Sequence, residues 1–152
     1  MKAFWSWLGN TELAFQIGAT WLFPFVESLH VLFVVTLVGC IMLADLRALG
    51  RMAVGEDLQG YVRGFVIVAW VAFVPAVLTG IGLFISRPQG YVDNVAFQIK
   101  LVLLLLAGAN VWCYYYFAKT GHIRRQKWCA ALSLSFWAGL VLAGRWIGHI
   151  SG

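Results

Sequence analysis

Charge is scarce in this sequence. Lysine and arginine number 11 and aspartate and glutamate 6 among 152 residues, so charged side chains make up 11% of the chain, against about 25% in an ordinary soluble domain. A chain so poor in charge cannot cover a water-facing surface, which excludes a soluble globular domain. Cysteine is equally sparse: Cys40, Cys113 and Cys129 form no C-x-x-C pair. An odd number cannot be fully paired within one chain, so neither a disulfide framework nor a zinc site is expected. Cys40 and Cys113 fall inside apolar runs, where a thiol behaves as a small hydrophobe. The sequence has no H-E-x-x-H metalloprotease signature, no glycine-rich phosphate loop and no Ser-His-Asp grouping, which argues against a hydrolytic enzyme. Residues 1–10 carry one lysine and are aromatic rather than smoothly apolar, so no cleavable signal peptide is read there and the first span is expected to direct insertion.

What is present is apolar. Hydrophobic residues make up 62% of the chain, above the usual 45–50% or so. With the bilayer as solvent, backbone polar groups in the apolar layer must be paired internally, which here means helices. A helical span needs roughly 20 mainly apolar residues. Four stretches qualify, at about 21–44, 64–86, 95–118 and 128–149, separated by the charged or Gly/Pro segments DLRALGRMAVGEDLQGYVR, RPQGYVDN and KTGHIRRQK. These connections are short, so neighbouring helices are antiparallel. The expected fold is an all-α integral membrane four-helix bundle, up-down-up-down, forming a single transmembrane domain over 1–152. Residues 1–20 read as an interfacial segment. Thr11 is a plausible N-cap for one short helix over 11–20, with Trp5, Trp7 and Trp21 at head-group level.

Three prolines punctuate the chain. Pro24 falls in the first turn of span one, where its missing N–H does no harm. Pro75 falls inside span two and should kink it. The carbonyls freed there are expected to find partners, Thr79 one turn on or a neighbouring helix. Gly80 and Gly82 follow and would permit close helix contact or leave room for a bound group.

The net charge of +5 is unevenly placed. Arg47, Arg51 and Arg63 follow span one, and Lys119, Arg124, Arg125 and Lys127 follow span three. Lys2 and Arg87 fall on the other side. The positive-inside rule then puts both basic loops in the cytoplasm and both termini outside, in the periplasm for a bacterial inner membrane. Asp45, Glu56 and Asp57 dilute the first loop but count little in that rule. The basic excess is read as meeting lipid head groups, and nucleic acid is not an expected partner.

Ionisable residues inside a bilayer are costly and face the bundle interior or a cavity. Glu27, His30, Lys100, Arg145 and His149 lie within the spans, and the antiparallel order brings them all toward the outer half. Glu27 and His30, at i and i+3, share a face with Val34, Ile41 and Asp45. Arg145 and His149, at i and i+4, continue a small-residue face through Leu142, Ala138, Ser135, Ala131 and Trp128, expected as a packing seam. Thr79 and Ser86 line one face of span two. The expectation is one carboxylate, two cations and one or two imidazoles converging on an outward-facing pocket. Plainer readings stand beside it. Glu27 with Lys100 or Arg145 would form an ion pair that fixes helix register, Lys100 and Arg145 would snorkel to head groups, His149 would be interfacial and His122 solvated. His30 is deep and flanked by apolar residues, and stands evenly between a functional and a structural role.

The run W-L-F-P-F-V-E-S-L-H, then L-V-G and A-D-L-R-A-L-G, with T-G at Thr79, F-Q-I-K ending at Lys100 and A-G-R ending at Arg145, resembles a bacterial family of small four-span membrane proteins of uncharacterised activity. The resemblance covers nearly the whole chain and implies no activity. A histidine early in span one of a four-helix unit is more loosely similar to copper-resistance-D-type membrane domains and small b-type cytochromes.

Three functional readings follow. The first is a redox protein binding haem b in the bundle, with His30 as the metal ligand, Lys100 and Arg145 neutralising propionates, and Glu27, His149 and Thr79 completing the pocket. His149 as second ligand would stand about six residues, roughly 9 Å, nearer the surface. Electrons would exchange with quinone or a membrane redox partner. The second is a metal-free small-molecule or proton-coupled carrier or receptor, which with four helices requires a homo-oligomer; no inverted repeat is visible. The third is a structural accessory subunit whose polar cluster fixes packing. Copper at His30 is disfavoured, since Met1, Met42 and Met52 lie far from it.

Overall fold

A computed structural model describes residues 2–52, 55 and 57–150, with side chains described for these except 2, 58 and 148–150. Glu56 and the side chain of His149 therefore lie outside the described residues. The described chain is helical throughout, in the order α1 (Lys2–Gly9), α2 (Glu12–Ala19), α3 (Leu22–Ala48), α4 (Leu58–Ser86), α5 (Pro88–Val92), α6 (Val95–Lys119) and α7 (Ile123–Ile150). The chain is an all-α membrane protein. α3, α4, α6 and α7 are each long and apolar enough to cross a membrane, and even the shortest, at 25 residues, spans roughly 37 Å against an apolar layer of about 30 Å.

Each turn between spans follows from its sequence. α3 and α6 both stop on a glycine in the left-handed region, Gly50 at φ 73 and Gly121 at φ 72. In each case the chain doubles back to cap the last carbonyls, Arg51 N–H donating to Leu46 O at 2.9 Å and His122 N–H to Phe117 O at 3.0 Å. A residue with a Cβ is strained in that conformation, which places the turn at the glycine. α4 opens on Asp57, whose carboxylate accepts from Gln59 and Gly60 N–H, and α6 opens on Asn94, whose Oδ1 accepts from Ala96 and Phe97 N–H.

The helices pair as two antiparallel hairpins, α3 with α4 and α6 with α7, joined through α3 against α7. Their shared core is Leu37 and Val38 of α3, Ala69 and Ala72 of α4, Ala107 of α6, and Trp137 and Leu140 of α7. The alanines let the backbones approach, which matters in lipid, where apolar side chains gain little by choosing protein over hydrocarbon. Two asparagines clasp the α6–α7 hairpin at its opposite ends: Asn110 Nδ2 donates to Cys129 O at 2.9 Å and Asn94 Nδ2 to Ile147 O at 3.2 Å. The outward faces are apolar, as lipid requires, with Val71 69%, Leu105 75% and Trp112 79% exposed.

Three features differ from the sequence reading. The helix expected over 11–20 is present as α2 and Thr11 caps it, accepting from Ala14 N–H at 3.3 Å, but α1 also forms upstream and α5 forms in the connection after α4. The seam on α7 is not the small-residue stripe through Arg145. Trp128, Ser135, Ala138, Leu142 and Arg145 are exposed, and the buried stripe is Cys129, Ala130, Ser133, Trp137 and Leu140. That stripe carries the carbonyl of Cys129 and the hydroxyl of Ser133, and polar groups that need partners fix a helix's rotation in lipid more strongly than apolar ones do. Lastly, Thr79 does not take the carbonyl that Pro75 frees, although α4 continues as a helix on both sides of the proline. Proline removes the donor to the carbonyl four residues back, that of Val71, whereas the Thr79 hydroxyl donates to Pro75 O at 2.7 Å and approaches Ala76 O at 3.1 Å. Thr79 thus answers a different carbonyl from the one the proline releases.

Candidate functional site

His30, Lys100 and Thr79 are the polar side chains of the expected outer pocket that the structure brings into the bundle. His30 is half-buried at the α3–α4 interface. Its Nδ1 lies 2.9 Å from the carbonyl of Ala76 and 3.1 Å from Thr79 Oγ1. A carbonyl only accepts, so Nδ1 carries the proton and donates. That fixes the tautomer: Nε2 holds the lone pair and has no hydrogen-bond partner among the described residues. The ring is seated on Gly80, where a Cβ would stand 3.1 Å from His30 Cε1 and 3.5 Å from Nδ1. The glycine is therefore a platform for the imidazole, and Gly82, two residues on, receives Val26 and Ile17.

Lys100 enters from α6 on the buried stripe that includes Ala96, Leu103, Ala107 and Asn110. Its Nζ lies 3.8 Å from the position of a Cβ on Gly144 of α7, and its charge is close enough to act on the His30 ring. At this level each of the four spans contributes one part: His30 from α3, the Ala76–Gly80 turn from α4, Lys100 from α6 and Gly144 from α7.

Glu27 and Arg145, expected in the same pocket, are exposed, and among the described residues no ion pair joins Glu27 to either cation. The register-fixing ion pair is therefore not formed. Three residues from His30, Glu27 is rotated out of the interface that the imidazole enters. It lies near enough to Tyr91 of α5 that burial first, and then the Glu27 charge, push the Tyr91 phenol up from its ordinary value, against a lowering by Arg87. Tyr91 belongs to an aromatic cap over this end of the bundle. Phe84 stacks on Phe97 at 5.6 Å and 14°, Trp5 meets Phe84 edge-on at 5.6 Å, and Tyr91 packs on Phe97 at 5.5 Å. The cap joins α1, α4, α5 and α6 above the His30–Lys100 level.

At the opposite end the structure assembles a second polar cluster. Asp45 is 8% exposed. Ser133 of α7 faces its carboxylate, and Oδ2 is buried without a hydrogen bond among the described residues. Tyr114 and Cys129 lie nearby. Sequence reasoning placed Asp45 on the His30 face but treated it as a loop charge. The missed signal was that its stripe, His30–Val34–Ile41–Asp45, continues the buried face for a further turn. Asn110 was also passed over, although a lone amide in the apolar run 101–113 needs a partner. Leu37, Val38 and Trp137 lie between the two clusters and separate them by an apolar layer.

Among the described residues, no group of three or more His, Cys, Asp or Glu side chains is arranged to hold a metal ion. A ligand set of that kind is not what a porphyrin iron needs, since the macrocycle supplies four nitrogens and the protein one or two axial groups. Comparison with protein-family models, with curated proteins and with solved structures gives no match. The reading of the site therefore rests on its geometry.

Proposed function

We propose that this protein is a membrane-embedded electron-transfer protein that holds haem b through His30. The observation that carries the reading is the orientation of the imidazole. Nδ1–H is committed to the Ala76 carbonyl at 2.9 Å and Nε2 is left without a partner. Metal-ligating histidines are held in this way: a second hydrogen bond fixes the tautomer, aims the ring and raises its basicity. Gly80 removes the side chain that would otherwise displace the ring, and Thr79 Oγ1 at 3.1 Å steadies the same nitrogen.

The donor set fits the group. His30 Nε2 supplies an axial nitrogen in a bundle interior, the setting in which helix bundles hold haem. The half-buried Lys100 ammonium is a counter-charge for one propionate, and Arg145, exposed toward the same end of the bundle, is available to the other. When bound, haem supplies one-electron chemistry. The chain's own residues bind and orient it, keep a proton on His30 Nδ1 and exclude water beneath the aromatic cap. Glu27 exchanges protons with the aqueous phase from its exposed position, the part needed where quinone is the electron partner. Quinone or a membrane redox protein, with a second copy of the chain as a further candidate, are the partners this reading implies. The basic loops after α3 and α6 support an orientation with both ends outward in a bacterial inner membrane, the setting this reading takes.

A metal-free site for a small anion is the second reading, favoured by the approach of Lys100 to His30. Absorption spectra of the detergent-purified protein, produced with ample haem, separate the two. A Soret band with sharp α and β bands on dithionite reduction, at near one haem per chain, is the expected result. A featureless spectrum would reject the haem proposal and leave the anion site.

A further inference from the structure

Arg87 has no role in the haem reading, and its surroundings form a site of their own. Its backbone is fixed twice: its N–H donates to Phe84 O at 3.3 Å, closing α4, and its carbonyl accepts from Tyr91 N–H at 3.3 Å, opening α5. The guanidinium stacks on Phe23 at 5.7 Å. Among the described residues no carboxylate lies within ion-pair distance of it, and the side chain is exposed. Two adjoining clefts, of about 290 and 330 Å³, meet at this residue. Both are lined by Gly9, Asn10, Ser86 and Arg87, and the larger adds Ser6 and Gln89. Their walls are the α1–α2 elbow and the α4–α5 elbow. Glycines set how closely these approach: a Cβ on Gly9 would stand 3.2 Å from Pro88 Cδ, and one on Gly18 3.4 Å from Ser86 O.

We propose that this double cleft binds the phosphate of an anionic glycerophospholipid through Arg87, with Asn10, Ser6, Ser86 and Gln89 as neutral hydrogen-bonding groups around it. The chemistry is a planar guanidinium facing a phosphate, the pairing for which arginine's fork of donors is suited. The source follows from the position. α1 and α2 lie across the end of the bundle and expose Phe4 at 54%, Trp7 at 62% and Phe15 at 63%, and Trp21 at the start of α3 is 71% exposed. Such aromatics mark the boundary between acyl chains and head groups. The cleft therefore opens at the depth where lipid phosphates lie, and the apolar faces beside it suit the acyl chains of the same molecule. The bound lipid would tie the two interfacial helices to the α4–α5 elbow.

The test is native mass spectrometry of the full chain released from detergent, titrated with phosphatidylglycerol. Arg87→Gln is compared with wild type and with His122→Gln, a change at an exposed loop residue at the other end of the bundle. Far-UV circular dichroism and gel filtration check that each variant is folded. We expect phosphatidylglycerol occupancy to fall about tenfold in Arg87→Gln, the effect of one charge-assisted contact, and to be unchanged in His122→Gln. Asn10→Phe, which fills the cleft and leaves Arg87 in place, should lower occupancy as well and serves if Arg87→Gln does not fold. Inorganic phosphate identifies the source. If it displaces the lipid only at far higher concentration, a lipid phosphate is the ligand; if it competes as well as lipid does, the same anion site is filled by the free ion. Equal lipid occupancy in wild type, Arg87→Gln and Asn10→Phe, or an equal fall in His122→Gln, would overturn the proposal.

Discussion

Replacing Gly80 by alanine probes the His30 platform directly, because α4 holds its own control. Gly64 on the same helix has nothing within 4 Å of a built Cβ, so Gly64→Ala should show only the helix-propensity gain, about 1 kcal/mol. At Gly80 the new methyl would stand 3.1 Å from His30 Cε1, about 0.5 Å inside the optimum for carbon contacts. The ring must yield, and it is held by a 2.9 Å hydrogen bond to Ala76 O. A shift of about 0.5 Å carries that bond beyond the ordinary range of up to about 3.2 Å. Its loss costs about 1 kcal/mol and the overpacking about 1–3 kcal/mol. Gly80→Ala should therefore be about 2–4 kcal/mol less stable than Gly64→Ala, and should retain less haem. The assay is denaturant unfolding of both variants in one detergent, followed by far-UV circular dichroism, with the haem-to-protein ratio measured in parallel. Equal stabilisation by the two alanines would refute the packing of His30 on Gly80 and, with it, the fixed tautomer.

Further outcomes follow from other contacts. Thr79→Val keeps the shape but loses the hydroxyl bonds to Pro75 O and His30 Nδ1; it should cost about 1 kcal/mol while haem is retained, since Ala76 O still holds the ring, as paired unfolding and spectral measurements would show. Asn94→Ala removes both the α6 cap and the bond to Ile147 O, and should destabilise by about 1–3 kcal/mol, with the earliest hydrogen exchange at the start of α6. Asp45→Asn removes a buried carboxylate whose Oδ2 takes no hydrogen bond among the described residues, and should raise unfolding stability by about 1 kcal/mol. Asp45→Leu leaves Ser133 facing an apolar group and should not match that gain.

The four spans were legible because apolar length is a property of composition, but their ends were less so: spans two and four were read from about 64 and 128, whereas α4 opens at Leu58 on its Asp57 cap and α7 at Ile123 just after Gly121. Which face of each span turns inward was much less legible. In water the apolar stripe reports the core, but in lipid both faces are apolar and rotation is decided by the few polar groups that find partners. His30 could be placed inside because a deep imidazole needs one. Glu27 was placed with it by i, i+3 spacing, and three residues of helix are enough to rotate it to the exposed side. The α7 seam was misplaced for the same reason: small residues suggested Ala131–Ala138, whereas Ser133 facing Asp45 and the Cys129 carbonyl held by Asn110 select the adjacent stripe. The interfacial layer of α1, α2 and α5 was only partly visible, since helices of 8, 8 and 5 residues depend on the contacts Trp5–Phe84 and Gly9–Pro88 that no local pattern announces.

The central claim is that His30 Nε2 is a haem ligand. The direct measurement is the pyridine haemochrome content of purified wild type, His30→Ala and His122→Ala, prepared side by side and matched for folded protein by gel filtration. His122 is exposed in the loop before α7. The account predicts near-stoichiometric haem in wild type and His122→Ala and none in folded His30→Ala. Haem absent from wild type, or retained equally by both variants, would contradict it.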